Sequence, residues 1–169
     1  MAERKVQILM GSDSDAAVMQ RTVDVLTELG VTSEMTVASA HRSPDRVKRI
    51  IDEAPLRGVK VFIVGAGAAA HLAGVIAAHS TLPVIGVPID SSPLQGWDAL
   101  LATVQMPPGV PVATVSVGKA GAVNAAVLAA QILALSDVRL AEALASYKVM
   151  LAEKVDRAAE KIEGFGNEL

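Results

Sequence analysis

Cysteine is absent from the 169 residues, which removes disulfides, thiolate nucleophiles and the sulfur ligands on which structural zinc sites usually rely. A reducing compartment such as the cytoplasm is compatible with that absence. Aromatics are nearly absent as well: Trp97, Tyr147 and two phenylalanines make 2% of the chain, too few to build a base-stacking platform for single-stranded nucleic acid. Basic charge is in deficit. Fifteen Lys and Arg against eighteen Asp and Glu leave a formal −3, whereas a phosphate backbone requires a basic face. Nucleic acid is therefore not an expected partner. What the chain does have is apolar bulk, 51% hydrophobic against 20% charged, the balance of a chain that folds. Its length predicts a single domain over residues 1–169, with a core at about 5–135 and a terminal helix at about 137–163.

One nearly uncharged run, residues 61–78, is broken only by His71 and three glycines. It reads as a buried strand, a loop and a helix, and no membrane span is expected. At the amino end, Glu3, Arg4 and Lys5 precede only a few apolar residues before Gly11, too short a run for a signal-peptide core.

Short apolar segments at 5–10, 34–38, 59–64, 84–87 and 112–115 alternate with helical patterns at 16–29, 45–53, 70–79, 97–104 and 120–135. Gly30 stands where a helix C-cap belongs, and Ser43-Pro44 where a helix begins. Repeated βαβ units with strands this apolar predict a five-stranded parallel sheet covered on both faces, a three-layer doubly wound α/β fold. Ligands in such sheets bind beyond the carboxyl ends of the strands. Six loops are assigned to that edge: 11–15, 39–44, 65–70, 88–96, 106–111 and 118–121. Ser136-Asp137 is placed to cap the last helix, whose residues Leu140, Leu144, Tyr147, Leu151, Val155, Ala158 and Ile162 form one narrow apolar stripe. About 27 residues at 1.5 Å each give roughly 40 Å, longer than a domain of this size is wide. Part of the stripe is expected to meet another subunit of a homo-oligomer.

Three loops carry chemistry. Gly11-Ser12-Asp13-Ser14-Asp15 offers a helix N-terminus, hydroxyl donors and close backbone approach to an anion. Its carboxylates would repel a phosphate, so Asp13 or Asp15 is expected to cap the helix or to accept from sugar hydroxyls; a capping box with no ligand fits equally. Ser39-Ala40-His41-Arg42-Ser43-Pro44 pairs an imidazole able to give and take a proton with a guanidinium fork for phosphate or carboxylate. Gly65-Ala66-Gly67-Ala68-Ala69-Ala70-His71 has the spacing of a dinucleotide fingerprint, but in the third βαβ unit and with no second domain for a hydride acceptor. The same loop, walled by methyl groups, suits a small neutral species kept from water. His71 is read as a hydrogen-bonded helix residue in preference to a second functional histidine, and His79 as a residue favouring its helix end.

Gly118-Lys119-Ala120-Gly121 lacks the earlier glycine and the following Ser or Thr of a phosphate loop. Residues 104–111 are too proline-rich for helix or central strand and read as a shaped loop, a candidate lid. No His, Asp or Glu spacing suggests a metal, and no glycine-flanked serine suggests a covalent hydrolase. Two further readings stay open on these residues: a nicotinamide-dependent oxidoreductase and a non-catalytic nucleotide-binding oligomer.

In this order, however, the loops resemble the PurE family, the N5-carboxyaminoimidazole ribonucleotide mutases of purine biosynthesis, over about Val6 to Ala134. The landmarks are Gly11-Ser12-x-Ser14-Asp15, Ser39-Ala40-His41-Arg42-x-Pro44, Gly65-Ala66-Gly67-x-Ala69-Ala70-His71-Leu72 and Pro88. They continue through Gly96-x-Asp98-x-Leu100-Leu101, Val104-Gln105-Met106-Pro107-x-Gly109-x-Pro111-Val112 and Gly118-Lys119-Ala120-Gly121-Ala122-x-Asn124-Ala125. Ala68 replaces a usual glycine, Ala73 a usual proline, and Trp97 a usual aliphatic residue. The resemblance implies a flavodoxin-like fold, a homo-octamer with sites completed by neighbouring subunits, and a ribonucleotide substrate with no cofactor or metal. It implies His41 as the catalytic acid and base, Ser12 and Arg42 toward phosphate, Asp15 toward ribose, and Ser39, Gly67 and Ala70 as walls. A second class within the family, which carboxylates aminoimidazole ribonucleotide directly with CO₂, resembles Ser-Ala-His-Lys and lacks the Gly-Ala-Gly loop. Arg42 and Gly65-Ala66-Gly67 favour the mutase class.

Overall fold

The computed structural model describes residues 5–166, with side chains described through residue 163. Glu3 and Arg4, and both extremities of the 1–169 span, lie outside the described residues. In chain order come β1 (Val6–Met10), a 3₁₀ turn (Asp13–Asp15), α1 (Ala16–Glu28), β2 (Ser33–Val37) and α2 (Pro44–Glu53). A second 3₁₀ turn (Pro55–Arg57), β3 (Val61–Gly67), α3 (Leu72–His79) and β4 (Val84–Ile89) follow. The chain then forms α4 (Trp97–Val104), β5 (Ala113–Thr114), α5 (Gly118–Ala134) and α6 (Val138–Gly166). All five strands are parallel, in the order β2-β1-β3-β4-β5.

Alternation along the strands sends side chains to two cores. Val6, Ile8, Met10, Ile63 and Ile85 meet α1, α5 and the start of α6, whereas Leu9, Phe62, Val64 and Val84 meet α2, α3 and α4. The alanine stripe Ala122, Ala125, Ala126 and Ala129 lets α5 approach α1 closely, and buried Thr22 donates to the Ala122 carbonyl at 2.9 Å. Local signals act where the residues place them. Gly30 ends α1 at φ +72, and Pro44 occupies the first turn of α2, where its missing N–H costs nothing.

Three expectations are corrected. The edge strands β2 and β5 are half-exposed, not buried on both faces, because each has a neighbour on one side only. Gly65-Ala66-Gly67 is the end of β3, not a turn: it pairs with Val87, Pro88 and Ile89 of β4, so the loops after these two strands start at Ala68 and Asp90. A Cβ at Gly65 would collide with Met19 Sδ of α1, so this glycine serves close helix packing. Residues 106–111 do not stand at the carboxyl edge. They lead into β5 at its amino end, and Gly109 and Pro111 line a depression with Ser80, Leu82 and Pro83, across the sheet from the strand ends that bear the other loops. Within its own chain this segment is no lid.

At the start of α6, Asp137 Oδ1 accepts from Leu140 N at 3.2 Å and Asp137 Oδ2 from Lys5 Nζ at 3.3 Å. The Leu140 backbone bond first, and Lys5 second, hold the Asp137 carboxyl below its ordinary 3.8. A depressed carboxyl stabilises the fold above the unfolded-state value and loses that contribution as pH falls through the folded one. Asp137→Ala therefore lowers the melting temperature at pH 7. The gap to the parent closes as the pH is taken below about 3.8, which thermal denaturation across a pH series measures.

Candidate active site

In the order β2-β1-β3, the first crossover leaves β1 toward one sheet edge and the second passes back to the other side of it. The connections diverge, and the carboxyl ends of β1 and β3 are left open as a crevice. Three loops meet there, joined at one side by Ser91 from the loop after β4. The turn after β1 brings Gly11, Ser12, Ser14 and Asp15; the loop after β2 brings Ser39, Ala40, His41 and Arg42; the end of β3 and its loop bring Ala66, Gly67, Ala68, Ala70, His71 and Leu72. All seven residues singled out from the sequence, His41, Ser12, Asp15, Arg42, Ser39, Gly67 and Ala70, line this one cleft. Its inner lobe holds about 190 Å³. A broader outer lobe of about 460 Å³ shares Gly11, Ser12, Ser39 and Arg42 with it and adds Asp13 and Ser43. Together they fall within the ~300–1,000 Å³ of small-molecule sites.

The loop bearing His41 is tied by its serines. Ser39 N donates to Ser43 Oγ at 3.0 Å, and Ser43 Oγ donates to Ser39 O at 3.2 Å. Ser43 thus closes the turn on Ser39 and makes no side-chain cap of α2. Ser39 Oγ accepts from Arg42 N at 3.2 Å, and Arg42 Nη2 donates to Gly11 O at 2.9 Å. Those bonds stretch the guanidinium across the boundary between the lobes. His41 Nε2 lies 2.8 Å from His71 Nδ1, with the rings edge to face at 78° and centroids 4.9 Å apart.

In the first loop, Ser12 Oγ accepts from Ser14 N at 3.3 Å and caps the 3₁₀ turn, so neither aspartate does. Asp15 is 4% exposed, with the Ser14 hydroxyl 3.5 Å from its Oδ1. Burial raises its carboxyl above 3.8; hydrogen bonds from Ser12 and Ser14 oppose the rise and Asp13 adds to it. In the third loop, Ala68 and Ala70 stand at φ +50 and +45, the left-handed region that costs a residue with a Cβ about 1–2 kcal/mol. Strain of this kind gathers at ligand sites.

Two residues of the cleft escaped the sequence reading. His71, taken for a helix residue, precedes α3, caps nothing with its side chain and bonds to His41 instead. Only the approach of two loops 30 positions apart in sequence reveals that pair. Ser91 follows β4 and stands against Gly67, where an added Cβ would meet Ser91 Oγ; Ser91-Ser92-Pro93 carries no pattern that separates it from ordinary loop serines.

The family model for AIR carboxylase matches residues 5–154. The chain belongs to the AIR carboxylase family. Among curated relatives it is 58% identical to the N5-carboxyaminoimidazole ribonucleotide mutase of Bacillus subtilis, covering 82% of this chain and 86% of that protein. It is 46% identical to the mutase of Thermotoga maritima, covering 96% and 94%, and 47% identical to that of Escherichia coli, covering 89% of each. Among solved structures, a singly substituted form of Treponema denticola PurE2 superposes with a TM-score of 0.84 at 29% identity, covering 92% of this chain and 96% of that one. A second T. denticola PurE structure gives 0.79 at 30%, with the same coverage.

In this chain the three departures noted in the sequence have distinct local settings. Ala68 adopts the positive φ that a glycine would take without strain. Ala73 is buried in the first turn of α3, where a proline would lose no helix hydrogen bond. Trp97 stands 67% exposed at the start of α4 and does not fold back over its loop.

A carboxyl raised by burial is free of penalty below its unfolded value and carries the full penalty above its folded one. Asp15→Asn removes the buried charge, so the variant melts above the parent at pH 7. The two converge below about pH 3.8, where the parent carboxyl is neutral in both states, as paired melting curves would show.

Proposed function

We propose that this chain is an N5-carboxyaminoimidazole ribonucleotide mutase, with His41 as its acid and base. One observation carries the mechanism. An imidazole borders a small lobe walled on one part by Ala66, Ala68, Ala70 and Leu72 and on the rest by Ser12, Ser14, Asp15 and Ser39, which opens into a larger lobe that shares Arg42 and Ser12 with it. The relatives that share most of the chain bear the mutase name, which supports the assignment of the reaction. The phosphate occupies the outer lobe, on Arg42 and the Ser12 hydroxyl, and the ribose spans the junction of the lobes so that its hydroxyls meet Asp15 on the inner side. The heterocycle enters the inner lobe.

There the N5–carboxyl bond breaks, CO₂ departs, and the electron pair left on N5 takes a proton from the His41 imidazolium. The ring carbon C4 then attacks the CO₂, and the neutral His41 removes the proton that C4 carried. N5 gains one proton, C4 loses one, and the histidine returns to its starting state. CO₂ is neutral and weakly hydrated, so methyl walls retain it by keeping water out. Ser39 and Gly67 shape the wall and Ala70 its floor.

In the single chain that enclosure is incomplete. His41, Ala68, Ala69 and His71 are exposed, and so are Leu151, Val155 and Ile162 on α6. Both facts support a homo-oligomer in which neighbouring subunits close each site, built from a single-domain core at 5–135 and α6 as the assembly helix; the number, an octamer, rests on the family resemblance alone. No described helix is long and apolar enough to cross a membrane, and a cytoplasmic location suits a phosphorylated substrate.

Carboxyl-labelled N5-carboxyaminoimidazole ribonucleotide, incubated in unlabelled bicarbonate, should carry its label to C4. Escape of label at the spontaneous rate, with unlabelled carbon entering C4, would favour direct carboxylation, the reaction named by the family model. His41→Asn should lower kcat by about 10²–10⁴-fold and leave nucleotide affinity near that of the parent. Arg42→Ala should raise KM by about 10–100-fold, the size of a lost charge-assisted hydrogen bond. Sedimentation at micromolar protein should give the oligomer; a monomer contradicts the assembly.

A further inference from the structure

We propose that His71 is the positioning residue for His41: it accepts a hydrogen bond from His41 Nε2–H and so reserves His41 Nδ1 for the substrate. The inference rests on the mutase reading and goes beyond it by saying which nitrogen works and what keeps it working. The observation is the 2.8 Å contact between His41 Nε2 and His71 Nδ1, made edge to face by rings from two different loops.

A hydrogen bond between two neutral imidazoles has two senses. If His71 Nδ1–H donated, His41 Nε2 would be the acceptor, and the remaining proton would sit on His41 Nδ1. The neutral ring would then have no free lone pair, and could act as an acid only by becoming an imidazolate. In the other sense His41 Nε2 keeps its proton throughout. His41 Nδ1 carries a proton in the imidazolium, gives it to N5 as CO₂ leaves, and is left with the lone pair that takes the C4 proton. A rearrangement that needs an acid first and a base second, at one imidazole and in one closed event, requires this second sense. His71 then accepts at Nδ1 and carries its own proton on Nε2, a fixed tautomer of the kind a hydrogen-bonded partner imposes on a working histidine.

His71 has little else to do in the fold. Its ring is exposed, its side chain caps no backbone N–H of α3, and His41 is the side-chain partner it shows. Substitution at this position therefore leaves the two cores intact, which makes it a clean test.

The chain holds three histidines, so ¹⁵N-histidine-labelled, ligand-free protein gives ring signals assignable through the His41, His71 and His79 single variants. In the parent, His41 should show a protonated Nε2 and an unprotonated Nδ1. In His71→Ala the His41 signals should move toward the average of both tautomers, and kcat should fall by about 10–100-fold with KM within about threefold. His71→Asn places an amide oxygen near the position of Nδ1, and should restore both the tautomer and most of kcat. A parent His41 protonated on Nδ1, a His71→Ala variant with unchanged kcat or with its loss in KM, or an Asn variant no better than Ala would each overturn the proposal. The mutase reading is judged separately, by label transfer in the parent enzyme. If that fails while the tautomer pattern holds, the hydrogen bond stands and the catalytic role assigned to it falls.

Discussion

The position of β1, with β2 on one side and β3 on the other, governs everything built on the sheet. Right-handed crossovers toward opposite edges must leave on opposite faces. α1 accordingly packs with α5 on one face and α2 with α3 on the other. The loops that start those helices part above β1 and β3, and among the described residues no helix covers the gap. Serine hydroxyls, a buried carboxyl and two histidines come together there without any one segment bearing them all. The rest of the sheet is the support: buried strands such as β3 and β4, whose Val, Ile and Phe side chains each contribute about 1.5–3 kcal/mol, hold the strand ends in register.

The architecture was legible in the sequence because its signals are local. Five apolar runs, Gly30 after α1, Pro44 at α2 and Asp137 before α6 each act within a turn of their own position. The cleft was legible for the same reason, since the carboxyl edge of a parallel sheet is a known place and the loops leading from β1, β2 and β3 carry the reactive residues. What was not legible depends on distance in space. Gly65-Ala66-Gly67 has turn composition, yet it pairs with β4 as strand, and Gly65 is there because Met19 fills the room a side chain would need. Residues 106–111 have the composition of a functional loop, but composition does not tell the amino edge of a sheet from the carboxyl edge. The partnership of His41 with His71 exists only after β2 and β3 have been placed on either side of β1.

The site also concentrates the molecule's unfavourable features. Asp15 is buried although burial disfavours its charge, and Ala68 and Ala70 hold a backbone conformation that alanine disfavours. Neither serves the cores. A carboxylate kept from water accepts hydrogen bonds more strongly from a ligand's hydroxyls than a solvated one does. A loop held in the left-handed region at two alanines presents methyl groups and backbone in a fixed arrangement beside the histidines. On the proposed reading, stability given up at these positions would be recovered through ligand contacts, the usual relation between strain and function.

The proposed chemistry asks more of enclosure than one chain supplies, and this joins the cleft to α6. Losing CO₂ from one atom and returning it to another succeeds only when recapture outruns escape, so the inner lobe must exclude water while the gas is free. Yet Ala68 and Ala69 are open to solvent, and so is α6 from residue 148 to 163, where Leu151, Val155 and Ile162 are 43%, 67% and 72% exposed. On this helix of about 43 Å, Leu140, Leu144 and Tyr147 pack on the chain's own core, whereas the stripe beyond them has no counterpart among the described residues and gains most by meeting other copies. In the proposed assembly the same event would bury that stripe and cover the loop after β3. Catalytic enclosure and oligomer stability would then depend on one set of contacts, and a change on α6 far from any reacting atom would alter how often CO₂ is recaptured.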